Sequence, residues 1–358
     1  MFDGFDPIIL LTEGPALWAA VAVALVMTAF LVNSRLNYLR MPKIPPFQGP
    51  TGAADCMVVI PARNEEDVIG RAVRSLPPDT VIVVDDHSRD RTTQIAKEAG
   101  AGVLAAPDLV RGAIGKANAC AAGSKLLTSR WILFADADTW YEPGFLEAVV
   151  ASAEASGLAF LSLHLQAEPD RWPDRILVPY AQALFFSGVN PRIDGNAAFN
   201  GQCLLARREA YEFIGGHSAV LTYLVEDVRL AALADRHRMK HMSARATQLG
   251  HARIRTEDFE RGASRFMVVS PRSGALIVTA ALLMALWLPA IGWLVYDQQW
   301  VVAAALWLVP VCLMHGWYRS WFRALLAPLA IIGILPILLR CAITGVLGRA
   351  VEWKGRVI

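Results

Sequence analysis

The chain has 358 residues, too long for one small domain and too short for three. With 55% hydrophobic residues, 18% charged residues and a mean hydropathy of +0.38, it is too apolar for a disordered chain and high for a purely soluble one, so part of it is expected in lipid. Lys+Arg 34 against Asp+Glu 32 leaves a net charge of +2, no footprint of a protein that coats nucleic acid, and no nucleic-acid partner is expected. The five cysteines (Cys56, Cys120, Cys203, Cys312, Cys341) are scattered, without a CxxC pair or a histidine at ligand spacing, and are expected as reduced, buried thiols.

From Ala16 to Val32 the chain reads ALWAAVAVALVMTAFLV, uncharged and about long enough to cross the roughly 30 Å hydrocarbon core. Acidic residues precede it (Asp3, Asp6, Glu13), which favours an uncleaved anchor over a signal peptide. Arg35, Arg40 and Lys43 follow it and predict that the remainder lies on the cytoplasmic side. This gives an anchor over 1–40 and a Pro/Gly-rich linker over 41–54.

Residues 55–270 read as an α/β domain. Short apolar runs at 56–62, 81–86, 131–138 and 158–165 predict strands, and the helical pattern between the first two makes the sheet parallel. Asn64 is placed to cap that helix, with Glu65, Glu66 and Asp67 in its first turn. Ligands of such sheets bind outside the carboxyl ends of the strands. Residues 271–358 return to lipid character. Gly274–Tyr296 and Trp300–Trp317 predict a hairpin of two spans. Ala324–Val351, interrupted by Pro328, Pro336 and Arg340, predicts a re-entrant or interfacial pair of helices, with a fourth span as the alternative reading. The apolar, aromatic segment Trp172–Asn190 reads either as an interfacial helix that admits an acceptor from the membrane or as a buried core helix.

Three acidic groups could carry chemistry. Asp85 and Asp86 end a strand and either cap the following turn or face a ligand. Asp136 and Asp138 alternate after a buried strand; if extended, both carboxylates face one cation, and such oxygen donors suit magnesium or manganese. The other reading is a polar strand-end turn. Glu226 and Asp227 open a helix, where acidic residues are favoured in any case, and either could serve as a general base. Lys116, in a Gly-bearing loop that lacks the Walker A spacing, could hold phosphate charge. The loop Asn200, Gly201, Gln202 could present polar groups to a substrate hydroxyl. The seven histidines form no metal array.

The segments VVIPARNEEDVIGRAVRSL, VIVVDDHSRDRT, GKANA, FADADT, NGQCLLARREAYEFIGG and VEDVRLA follow one another in an order and spacing that resembles the family 2 glycosyltransferases with a GT-A fold, over roughly Cys56 to Arg238. With its flanking apolar segments the chain looks most like the bacterial membrane-bound branch that glycosylates lipids, including the hopanoid-associated, carotenoid and ceramide glycosyltransferase-like enzymes. The resemblance implies a Rossmann-like mixed α/β sheet, an inverting transfer from a nucleotide sugar, with UDP-sugars favoured, to a lipid hydroxyl, and a divalent cation, manganese or magnesium. Pro61, Arg63, Asn64, Glu65, Asp85 and Asp86 would line the nucleotide pocket, and Lys116 would face the diphosphate. Asp136 and Asp138 would be the DxD metal pair, Asp227 the base with Glu226 beside it, and Asn200, Gly201 and Gln202 would meet the acceptor. Many relatives carry QxxRW after the ED pair. Here the region reads RTEDFERGASRFMVV, with Arg261 and Arg265 as donor-side substitutes and Phe266 as an acceptor-side one, or else simply a basic cluster at the membrane surface. A processive polysaccharide synthase predicts more helices and an intact QxxRW. A non-catalytic scaffold predicts loss of the DxD or ED carboxylates, and both pairs are present.

Overall fold

The computed structural model describes residues 15–52, 54–188, 199–269 and 271–346, with residues 352–353 and 356–357, and leaves the side chains of 266–277 and of residues beyond 344 undescribed. The chain forms two compact units. One comprises Leu39–Asp170, Val189–Arg261 and Ala350–Ile358, the other Met1–Tyr38, Arg171–Gly188 and Gly262–Arg349.

Among the described residues the first unit has twelve strands: β1 Cys56–Ala62, β2 Val81–Asp85, β3 Gly102–Ala105, β4 Trp131–Ala135, β5 Thr139–Tyr141, β6 Phe160–His164, β7 Gln166–Glu168, β8 Cys203–Arg207, β9 His241–Arg245, β10 Gly250–Arg253, and the short antiparallel pair β11 Glu352–Trp353 and β12 Arg356–Val357. Seven form a sheet in the order β3-β2-β1-β4-β8-β6-β9, and β5, β10 and β7 form a second, smaller one. In the large sheet β8 alone runs antiparallel, against β4 on one side and β6 on the other, so the sheet is mixed rather than parallel throughout. Successive side chains of β1 enter opposite cores. Val58 and Ile60 join Leu133, Leu205 and the helix Phe145–Ala155, while Val59 joins Phe134, Leu204 and the helices Gly115–Ser124 and Glu226–Arg236. Burial on both faces explains the uninterrupted apolar runs that mark these strands in the sequence. Beside β1 the chain turns to β2 on one hand and reaches β4 on the other, which makes the β1–β4 boundary the switch point where a crevice opens at the carboxyl ends.

The Pro/Gly-rich stretch after residue 40 is more than a linker. Lys43 bridges to Arg245 in parallel, Ile44 N donates to Arg245 O (2.9 Å) and Arg245 N to Pro42 O (2.7 Å). The buried Arg245 guanidinium donates to the carbonyls of Met41 and Leu39, each at 3.0 Å. Its prolines leave carbonyls available, and an edge strand uses them.

Among the described residues of the second unit, four helices are long and apolar enough to cross a membrane: Leu17–Arg40, Val278–Tyr296, Trp300–Tyr318 and Ala327–Thr344. The last differs from the broken pair that its prolines predict. One helix, Ala327–Val346, runs through Pro336, burying Ile331, Ile334, Leu338 and Cys341 on one stripe. Packing along that stripe outweighs the single hydrogen bond that proline removes. The helix Trp172–Gly188 belongs to this unit and buries Val178, Tyr180, Ala183 and Phe186 there; residues 189 and 190 lie outside the described residues. Its terminal carbonyls are met by the N-terminal helix: Ser34 Oγ donates to Ala183 O (2.7 Å) and Asn37 Nδ2 to Phe186 O (3.0 Å). Tyr180 Oη donates to Ala327 O (2.8 Å), and Tyr318 Oη donates to Ile176 O (2.9 Å), beside the helix-internal Pro179. All five cysteines are free thiols; four are buried and Cys312 is exposed on the Trp300–Tyr318 helix.

Candidate active site

Two loops at the carboxyl ends of β1 and β2 are laced together. Arg63 Nη1 donates to Asp86 O at 2.6 Å and stands 3.8 Å from its buried carboxylate. Asn64 N donates to Ser88 Oγ (3.0 Å), Asn64 Oδ1 accepts from Arg89 N (2.8 Å), and Glu65 N donates to Thr92 Oγ1 (2.7 Å). Asn64 is therefore not the helix cap that the sequence predicts. It takes a left-handed conformation (φ 53°), and the helix starts only at Ile69, because the asparagine side chain is committed to the neighbouring loop. Both oxygens of Asp85 accept from Ser88 N at 3.3 Å, the turn-capping reading of that residue.

At the switch point one pocket is lined by Pro61, Lys116, Asp136, Gly201, Glu226 and Asp227, together with His217. Lys116 is the second residue of the Gly115–Ser124 helix and reaches across the crevice. Its Nζ lies 2.6 Å from Asp136 Oδ1, 2.9 Å from Gly201 O and 3.8 Å from Glu226 Oε1. Burial alone would pull the ammonium toward neutrality, but the carboxylates of Asp136 and Glu226 outweigh it and hold the group charged. The same burial pushes the neighbouring Cys120 thiol up, which keeps it inert.

Asp136 follows β4 directly and is fixed by its N–H to Gln202 O (3.0 Å). The segment to Asp138 is a turn rather than an extended strand: Thr139 N and Oγ1 both donate to Asp136 O, at 3.2 and 2.8 Å. The alternation argument for two carboxylates facing one ion therefore does not hold as stated, since strand periodicity ends at Ala135. Asp138 sits on that turn, its carbonyl accepting from Arg253 N (2.9 Å). Among the described residues no group of three or more His, Cys, Asp or Glu is arranged to hold a metal. The donor chemistry at Asp136 and Asp138 fits a magnesium or manganese ion that keeps waters and draws further ligands from a substrate diphosphate, rather than a cage made by protein alone.

Glu226 and Asp227 form the first turn of the Glu226–Arg236 helix. Asp227 Oδ2 accepts from Gly201 N and Oδ1 from Val228 N, each at 2.8 Å. Gly201 is required here because a Cβ would come within 2.8 Å of Asp227 Oδ2. The residue thus holds Asp227 through its N–H and Lys116 through its carbonyl. Asn200 and Gln202 use their polar groups locally: Asn200 N donates to Ser162 Oγ (2.7 Å) and Gln202 N to Asn200 Oδ1 (3.3 Å). Arg261 pairs with Asp258 at 2.5 Å on the Thr256–Val269 helix. Arg265 follows it on the same helix, and the Phe266 side chain lies outside the described residues.

His217 is the residue that sequence reasoning passed over, having examined histidines only as metal ligands. It is buried, its Nδ1 lies 2.8 Å from Tyr211 Oη, and its backbone N donates to the same hydroxyl (2.9 Å). Burial, reinforced by the charge of Lys116, pushes its pKa down to about 3, so the ring is neutral. The signal was the Gly215-Gly216 pair before it: both take positive φ, and a Cβ on Gly216 would strike the Tyr211 ring.

Comparison with known proteins bears on the fold and on one segment of the chain. Residues 57–215 match the family model described as glycosyl transferase family 2. The 4,4'-diaponeurosporenoate glycosyltransferase of Staphylococcus aureus (strain USA300) is 29% identical over 191 residues, covering 49% of this chain and 50% of that protein. The chain thus spans about half the length of the curated relatives it matches. Among solved structures, the mannosyltransferase PcManGT from Pyrobaculum calidifontis, in complex with GDP-Man and Mn2+, superposes with a TM-score of 0.54 at 16% identity, over 92% of this chain and 99% of that one. The mixed sheet with its switch-point crevice is of GT-A-like fold, and within it residues 57–215, somewhat under half of the chain, match glycosyl transferase family 2, with apolar helices before and after them in sequence.

Proposed function

We propose that this chain is a membrane-bound, inverting glycosyltransferase that moves a sugar from a nucleotide donor, with UDP-sugars favoured, to the hydroxyl of a lipid at the cytoplasmic face of a bacterial inner membrane. The observation that carries this reading is the single pocket in which Lys116, Asp136, Glu226 and Asp227 converge beside Pro61 at the carboxyl ends of the sheet. Arg63 and Asp86, locked together at the adjoining loop, are suited to receive the nucleoside. Asp136 and Asp138 would hold a divalent ion, which when bound supplies positive charge against the departing diphosphate. Asp227 takes the proton of the acceptor hydroxyl at its carboxylate as the acceptor oxygen attacks the anomeric carbon opposite the leaving group, and the configuration inverts. Gly201 keeps that carboxylate in place. Arg261 and Arg265 remain donor-side candidates and Phe266 an acceptor-side one. Arg35, Arg40 and Lys43 at the end of the first apolar helix support the cytoplasmic orientation. The carotenoid-acid substrate in the Staphylococcus relative's name is in keeping with a lipid-like acceptor. The GDP-Man held by the Pyrobaculum protein is the reason to test GDP-sugars beside UDP-sugars.

The test is nucleotide release by the detergent-purified chain from a panel of UDP- and GDP-sugars, with and without manganese, for wild type and Asp138→Ala. Turnover of one donor that needs the metal and is lost in the variant supports the reading. No turnover and no nucleotide binding, even with membrane lipids present, overturns it.

A further inference from the structure

An ammonium has three N–H bonds to give, and Lys116 gives two of its own in the crevice, with a second carboxylate in ion-pair range. Asp136 Oδ1 at 2.6 Å and Gly201 O at 2.9 Å take two, and Glu226 Oε1 at 3.8 Å faces the third. The lysine is nearly enclosed, and so is Glu226. A divalent ion that ligates Asp136 through Oδ1 would have to take that oxygen from a contact ion pair.

We propose that Lys116 is the resident counter-cation of Asp136, so that the donor-free protein takes up a divalent ion only weakly, and the ion enters with a nucleoside diphosphate whose negative charge draws the ammonium off the carboxylate. This rests on the donor and cation reading above and goes beyond it, because it fixes an order of binding and names the group that enforces it. The physical ground is competition for one oxygen. At a contact distance in a half-buried site the lysine's attraction for Asp136 is strong, and it costs no assembly because both groups belong to the fold. A diphosphate offers the ammonium a replacement partner of higher charge and at the same time offers the metal two further oxygen ligands. The exchange also releases Gly201 O, on the residue whose N–H holds Asp227, so donor entry acts on the mounting of the acceptor-side carboxylate.

The experiment measures Mn2+ binding to the full chain in detergent, by the loss of the free-ion paramagnetic signal, for wild type, Lys116→Met, Lys116→Gln and Arg63→Met, without nucleotide and with UDP or GDP. Without nucleotide, Lys116→Met should bind Mn2+ about tenfold or more tightly than wild type. Lys116→Gln, which keeps an amide to bond Asp136 and Gly201 and so guards against a misfolded Met variant, should do the same. Arg63→Met removes an equal charge that pairs with Asp86 instead of Asp136, and should stay within about twofold of wild type. Equal affinity in wild type and both Lys116 variants overturns the inference and leaves the glycosyltransferase reading standing. An equal gain in Arg63→Met also overturns it, because general field rather than contact would then be the cause. No Mn2+ binding by any protein, with or without nucleotide, overturns it together with the cation assignment, whereas nucleotide release still tests the transferase itself.

Discussion

In the sheet unit the main chain satisfies itself across seven strands, and the polar side chains are left over to gather at the strand ends. In the helix unit the order is reversed: polar side chains are few and are used on the main chain. Ser34 and Asn37 bond carbonyls in the last two turns of the Trp172–Gly188 helix, Tyr180 ties that helix to Ala327, and Tyr318 of the Trp300–Tyr318 helix bonds its Ile176 carbonyl. The comparison teaches where substitutions act. A hydroxyl removed from the helix unit removes a hydrogen bond that ties one helix to another, a matter of stability. Under the proposed function, a carboxylate removed from the pocket should leave the fold intact and remove chemistry.

The sharpest way to break that contrast is Asp227→Asn, expected to lower transfer by about 10²- to 10⁴-fold with little change in melting temperature; a large fall in melting temperature would make the residue structural. Gly201→Ala comes next. Its Cβ would displace Asp227 Oδ2, and a turnover loss on the order of tenfold to a hundredfold is expected while donor affinity measured by calorimetry holds. In the other unit Tyr180→Phe should cost about 1–3 kcal/mol of stability in detergent, leaving nucleotide binding unchanged. A smaller, graded effect concerns acid. His217 and His164 are pushed down to about 3 and about 4 by burial, against 6.5 in the unfolded chain. The folded protein stays neutral at both while the unfolded chain takes up protons, so stability present above pH 6.5 falls as pH drops toward 4 and then 3. Melting temperatures recorded from pH 7 to pH 5 should fall less steeply for His164→Asn than for wild type.

Much of this was legible before any coordinates. The four apolar runs are strands to within three residues at their ends, because burial on both faces leaves a continuous pattern. Lys116, Asp136, Glu226 and Asp227 were identified from motif order, and the fold brings them together. The reversal of β8 was not legible from strand composition, since direction is decided by partners far away in sequence. Strands as short as β5 and β7 carry no periodic signal at all. Asn64 looked like a cap because helix-start chemistry and loop-bridging chemistry use the same side chain. Pro336 looked like a break because a proline's local cost is visible in sequence and the packing that offsets it is not.

Arg245 has one more consequence, in time rather than in space. The carbonyls of Leu39 and Met41 that it holds lie 206 and 204 residues ahead of it. On a ribosome adding about 5–20 residues per second, the early segment must wait roughly 10–40 s for its arginine. Until then β9, which ends in Arg245, is itself unmade, and the nascent sheet stops at β6 with an open edge strand. The bond that closes the edge is therefore among the last that this unit can make, and a partner that recognises exposed edges would find its opportunity in that interval.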